Sequence, residues 1–156
     1  MLFQDNNLFP HLTLRQNVAL GLQSNLRLGP EEEKRVAAAI DRVGLAGMES
    51  RRPSALSGGQ QSRAALARVL VQDKPLVVLD EPFAALGPAL RHEMLDLVSA
   101  LVAEIDATLL MVTHAPEDVT RIADDVIYVD DGRANAPEPA AALMANPPPA
   151  LKAYLG

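Results

Sequence analysis

A chain of 156 residues suits one domain able to bury a sizeable core, and 49% apolar against 22% charged residues is a globular rather than a disordered balance. The formal net charge of −6 argues against a nucleic-acid footprint, and the absence of cysteine excludes a disulfide frame, a thiol nucleophile and a zinc-thiolate site. No apolar run is long enough to cross a bilayer and the N-terminus lacks a signal peptide's basic flank, so membrane association would go through a partner.

Taken in order, Met1-Leu2-Phe3 reads as the end of a strand, with Gln4 at its tip and Asp5-Asn6-Asn7 as turn residues. Leu8 to Thr13 leads into a helix expected from about Leu14 to Leu22. Gly29-Pro30 followed by Glu31-Glu32-Glu33 opens a second helix, since proline and acids both suit a first turn. Val36, Ala39, Ile40 and Val43 share one face of it, and Gly44 ends it. Arg51-Arg52-Pro53 reads as a solvated loop.

Leu56-Ser57-Gly58-Gly59-Gln60 then starts a third helix, expected to run to Val71, with Ser57 as N-cap and Gln60 completing a capping box. Capping does not account for two glycines, each of which costs about 1 kcal/mol against alanine in a helix. Close approach of a ligand to bare backbone N–H groups supplies a reason, and phosphate suits the positive end of the helix dipole. Arg63 and Arg68 follow on this helix, either as surface charges or as functional cations.

Four consecutive apolar residues, Leu76 to Leu79, imply a strand buried on both faces, as in a parallel α/β sheet. Asp80 and Glu81 stand at its carboxyl end, the edge where open α/β sheets bind ligands. A helix is expected from Ala89 to about Ile105, its face made by Leu90, Met94, Leu97, Val98, Leu101 and Ile105. Thr108 to Thr113 reads as another buried strand, completing a β-α-β unit with His114 at its end, level with Glu81. His11 and His92 have no comparable setting. A short helix from Pro116 to about Ala123, a third strand at Val126 to Val129 and a tight hairpin at Asp130-Asp131-Gly132-Arg133 follow. Beyond Asn135 the chain is rich in alanine and proline, with a short helix near Ala140 to Ala145 and Pro147-Pro148-Pro149 as a stiff spacer.

In this order Phe3-Gln4, Leu56-Ser57-Gly58-Gly59-Gln60, Leu76-Val77-Val78-Leu79-Asp80-Glu81-Pro82 and Leu110-Met111-Val112-Thr113-His114 resemble the Q-loop, signature motif, Walker B segment and switch histidine of an ABC-type ATPase. The resemblance implies an α/β fold: a P-loop NTPase core of ABC, RecA-like type, here incomplete, with an inserted helical subdomain. On that mapping residues 1–10 form the Q-loop region, 11–57 the helical subdomain, 58–135 the RecA-like core and 136–156 a C-terminal tail.

It implies ATP and Mg²⁺ as cofactors. Asp80 and Gln4 would hold the metal, Glu81 would polarise the attacking water with Gln4 beside it, and His114 would sense the γ-phosphate. Ser57, Gly58, Gly59 and Gln60 would meet the nucleotide bound to a second ATPase subunit. Little covalent chemistry is asked of the protein in phosphoryl transfer, so positioning carries most of the work.

The further partners implied are a membrane permease, received near Phe9 to Val18, and indirectly a periplasmic binding protein, but no nucleic acid. The place implied is the inner face of a bacterial plasma membrane. Two positions depart from the family pattern: Gln61 where a basic residue is usual, and Gly87 where the loop that crosses to the other subunit usually has aspartate.

Within the family, Met1 to Phe9, Gly21-Leu22, Pro82 to Leu86, Pro88 to Arg91 and Leu109 to His114 are most similar to ATP-binding subunits of thiamine importers; polyamine and iron importers are the alternatives. A DNA-repair or translation-type ABC protein would carry a coiled coil or second cassette and a more basic surface.

A glycine-rich loop with lysine, the Walker A element, is expected before the Q-loop and is not found in residues 1–156. The expectation is therefore an N-terminally truncated form that binds no ATP in cis. Charge-assisted hydrogen bonds contribute roughly 1.5–3 kcal/mol each, against about 8 kcal/mol for a micromolar ligand. A chain of this kind is either a half-site for a full-length subunit or a non-catalytic module that pairs with one. It is also expected to be marginally stable, or to associate through a raw sheet edge.

Overall fold

The computed structural model describes residues 7–155, and Gln4 and Phe3 lie outside the described residues. The chain divides into two compact units, residues 1–112 and 113–156.

In the first unit, helix α1 (Leu14–Ala19) starts at a capping box: the Gln16 N–H donates to Thr13 Oγ1 at 3.2 Å and the Thr13 N–H to Gln16 Oε1 at 2.9 Å. The wholly buried Asn17 side chain accepts from the Phe9 N–H at 2.8 Å and donates to the carbonyls of Phe9, Leu12 and Thr13, so loop 9–13 is fixed on α1. The helix is shorter than expected. It gives way at Leu20 to a turn in which the Gly21 N–H donates to the Val18 carbonyl at 2.9 Å.

Helix α2 (Pro30–Arg42) has proline at its start and three acids in its first turn. It closes in a Schellman arrangement, the Leu45 N–H donating to Ile40 at 3.0 Å and the Gly44 N–H to Asp41 at 2.8 Å, with Gly44 at φ +70°. Val36, Ala39, Ile40 and Val43 are buried, as the apolar spacing predicts. Helices α1 and α2 pack on each other and on α3 (Gly58–Leu70). Arg51 and Arg52 are exposed, while Pro53 is buried at the start of a short 3-10 turn, Pro53–Ala55.

Strands β1 (Leu76–Asp80) and β2 (Thr108–Val112) pair in parallel, with α4 (Pro88–Glu104) between them in sequence, so the β-α-β unit forms. Burial of both strands is the expectation that fails. Val77 and Leu79 are buried, but Leu76 is 50% exposed, and no residue of β2 is buried, with Leu110 at 48% and Val112 at 52%. Among the described residues β2 pairs with β1 alone, so one face of this apolar pair is uncovered. Met94, Leu95, Val98, Leu101 and Val102 form the buried side of α4.

In the second unit, α5 (Pro116–Ile122) is followed by what the sequence reads as one strand and the structure divides. Strand β3 (Asp125–Val126) pairs antiparallel with β6 (Glu138–Pro139), whereas β4 (Val129–Asp130) pairs with β5 (Arg133–Ala134). Beyond β4 and β5 the Tyr128 carbonyl accepts from both the backbone N–H and the side-chain amide of Asn135, at 2.9 Å each, which continues the register of that hairpin by one pair. The β4–β5 hairpin turns through Asp131 at φ +45° and Gly132 at φ +71°, as expected of this turn. Helix α6 (Ala140–Ala145) stands where expected, but the third proline of the spacer opens a further helix, α7 (Pro149–Leu155).

Candidate functional site

The signature residues begin α3. Ser57 is the N-cap, its hydroxyl accepting from the Gln60 N–H at 3.3 Å while its own N–H donates to Gln60 Oε1 at 2.9 Å. Before it, Gln61 Nε2 donates to the Pro53 and Leu56 carbonyls at 3.1 and 3.2 Å and so braces the turn that leads into Ser57. The departure at Gln61 thus has a local role that an ammonium or guanidinium would fill differently.

The two glycines differ in surroundings. A Cβ on the exposed Gly58 meets nothing within 4 Å, which suits a ligand approaching backbone. A Cβ on the buried Gly59 would stand 2.7 Å from Leu90 Cδ2, so this glycine also serves the packing of α3 on α4. Ser57, Gly59 and Gln60 line an open hollow of about 250 Å³ with Gly44, Arg63 and Leu90. In its wall the Arg63 guanidinium donates to the Val43 carbonyl at 3.0 Å and pairs with Glu93. Arg68 is half-buried and donates to the Asn7 carbonyl at 2.6 Å, and burial lowers the pKa of its guanidinium below the ordinary arginine value. Both arginines act as structural ties as well as charges.

Asp80 and Glu81 stand at the carboxyl end of β1, both half-buried, in the same unit as the signature. Asp80 is in register with Val112, and the Glu81 N–H donates to the Val112 carbonyl at 2.9 Å. Glu81 sits at φ +43°, a left-handed conformation that a non-glycine residue adopts at a cost of about 1–3 kcal/mol. Such strain at the tip of a parallel strand is a site signal that periodicity does not carry. After Pro82 and the buried Phe83, Gly87 becomes the N-cap of α4 at φ −66°. A Cβ there meets nothing within 4 Å, so the backbone does not require glycine at this position.

His114 belongs to the second unit, two residues past β2. Its neighbours are fixed to α5: Thr113 Oγ1 donates to the Asp118 carboxylate at 2.7 Å, the Ala115 N–H donates to Thr113 Oγ1 at 3.1 Å, and the Asp118 N–H donates to the Ala115 carbonyl at 3.1 Å. Asp118 is only 3% exposed, and by sequence it is one of two acids in the first turn of a helix. An acid four residues past a candidate histidine, with threonine before it, was the available signal.

The residues fit a magnesium nucleotide. Mg²⁺ keeps several waters and takes one or two protein carboxylates beside the phosphates, which a single Asp80 at the strand tip can supply. Among the described residues no group of three or more His, Cys, Asp or Glu is placed to hold a metal ion.

The family model for the ABC transporter matches residues 1–84, a stretch that includes Gln4, the signature and the Asp80–Glu81 pair. The chain belongs to the ABC transporter family. It is 62% identical over 156 residues to the thiamine import ATP-binding protein of Cereibacter sphaeroides, covering 100% of this chain and 68% of that one. To the thiamine import ATP-binding protein of Brucella abortus it is 54% identical over 157 residues, covering 65% of the relative. Among solved structures, the ABC protein cbiO1 from Clostridium perfringens, described as part of the transporter complex cbiONQ, superposes with a TM-score of 0.81 at 31% identity. That match covers 99% of this chain and 62% of the other, so the chain spans under two thirds of that structure and about two thirds of the curated relatives. The expected α/β fold of ABC type is thereby established. No helix among the described residues is long and apolar enough to cross a membrane.

Proposed function

We propose that this chain supplies the signature and Walker B parts of the ATPase that drives an ABC importer, with thiamine as the transported solute. One observation carries the reading. Ser57 and Gly58 present the open start of α3, while Asp80 and a strained Glu81 end a parallel strand in the same unit. Ser57, Gly58, Gly59 and Gln60 then meet the phosphates of a nucleotide held by a second ATPase subunit. Asp80 holds Mg²⁺ with Gln4, Glu81 polarises the attacking water, and His114 senses the γ-phosphate. The magnesium, when bound, neutralises charge on the phosphates.

Support for thiamine comes from the names of the relatives at 62% and 54% identity. Docking to a permease at the inner face of the bacterial plasma membrane, with a periplasmic binding protein beyond it, is supported by Phe9. That ring is 47% exposed on a loop which Asn17 holds rigid.

No glycine-rich loop with lysine occurs in residues 1–156, which favours a second reading, a module that pairs with a full-length subunit without catalysing. In either case the chain alone binds no MgATP, and calorimetric titration showing micromolar affinity overturns that. Mixing the chain with an intact thiamine-importer ATPase separates the readings. A competent half-site preserves part of the ATPase rate, Ser57→Arg in the signature abolishes that part, and a passive module only lowers the rate.

A further inference from the structure

The peptide plane between His114 and Ala115 has both of its polar groups engaged. Its N–H donates to Thr113 Oγ1 at 3.1 Å, and its carbonyl accepts from the Tyr154 hydroxyl at 2.8 Å. The first bond is built into α5, because Thr113 is itself held by the buried Asp118. The second comes from α7, at the other end of the second unit's sequence.

Helix α7 buries none of its residues, and Tyr154 is 63% exposed. Beside it an open hollow of about 510 Å³, lined by His114, Glu117, Thr120, Met144 and Tyr154, leaves the helix room to move. One side of the plane is thus anchored in packed structure and the other in a helix with little packing of its own.

We propose that α7 is a detachable strap and Tyr154 a positioning residue: docked, its hydroxyl helps to fix the plane from which the His114 imidazole projects, and undocked, it removes that tie. The proposal rests on the reading of His114 as the γ-phosphate sensor. A backbone carbonyl offers no alternative proton to exchange, so the tie needs the phenolic O–H as donor. Phenylalanine keeps the ring and loses the tie.

The test uses the full chain labelled with carbon-13 at its histidine carbonyls, with His114 assigned through His114→Gln. In both Tyr154→Phe and Tyr154→Ala, the His114 carbonyl resonance moves upfield, those of His11 and His92 stay in place, and the melting temperature is unchanged. An unmoved resonance in Tyr154→Phe, or a shift seen only in Tyr154→Ala, overturns the strap, since ring packing rather than the hydroxyl would then be responsible. A His114 carbonyl resonance that moves while the His114 imidazole resonances stay in place overturns the positioning role. If the unsubstituted chain supports no activity when mixed with an intact subunit, the functional reading fails and the carbonyl resonance still decides the tie.

Discussion

The Glu81 N–H donates to the Val112 carbonyl at 2.9 Å from a left-handed backbone, so the residue proposed as the base also closes the end of the parallel pair. Glycine adopts φ +43° without the penalty that any Cβ incurs, about 1–2 kcal/mol. Glu81→Gly is therefore expected to be more stable than Glu81→Ala by about 1 kcal/mol, the reverse of their order in regular structure. Urea midpoints at equal slope measure the difference, and alanine coming out ahead removes the case for strain.

Gly21 is a tighter fit than any glycine of the signature. A Cβ there would stand 2.3 Å from the Arg68 carbonyl oxygen and 2.6 Å from Val71 Cγ1, and the carbonyl, being backbone, cannot rotate away. Gly21→Ala should destabilise the chain by about 1–3 kcal/mol. At about 2–4 °C per kcal/mol for a protein of this size, a melting curve within a degree of the parent excludes the contact.

Gly87 leaves α4 without a side-chain cap and with no acid in its first turn. An aspartate there has room for its Cβ, can accept from the following N–H groups and faces the positive end of the helix. Gly87→Asp is expected to stabilise the chain by about 0.3–1 kcal/mol, read from chemical denaturation. A loss instead shows that the loop after Glu81 opposes the side chain.

The Glu32 carboxyl is held below its ordinary value of 4.5, chiefly by the Gln23 amide at 2.9 Å and then by the Gly29 N–H at 2.8 Å. Its folded pKa is the lower one. Its contribution is therefore fully present above 4.5 and lost as pH falls through the depressed value. In Glu32→Gln, where the side-chain oxygen can still accept from Gly29, that part of the acid dependence disappears. Urea midpoints of the two proteins compared across the acid range should converge as pH falls, and parallel curves contradict the linkage.

Local chemistry explains what was legible beforehand. The box at Ser57 and Gln60, the proline-acid start and glycine end of α2 and the Asp131-Gly132 turn are each decided within a few residues of chain. Burial of β2 is decided by what lies beside and above it, so an apolar run that spelled two covered faces has Leu110 and Val112 half in water. The division of the third strand depends on Val126 and Val129 taking different partners, Glu138 and Ala134, and the role of Gly59 on Leu90, 31 positions away in a helix of its own. The carboxylate of Glu81 is legible in the sequence and its backbone strain is not; Asp118 reads as one more acid at a helix start. Gln4 lies outside the described residues, and its role rests on the resemblance.

Where Gly59 meets Leu90, α3 and α4 touch close to their beginnings. Two rods joined near one tip behave as levers on a common fulcrum. An added side chain at position 59 would therefore press on the helix that starts seven residues after Glu81, and the pivot stays close only because this residue has none.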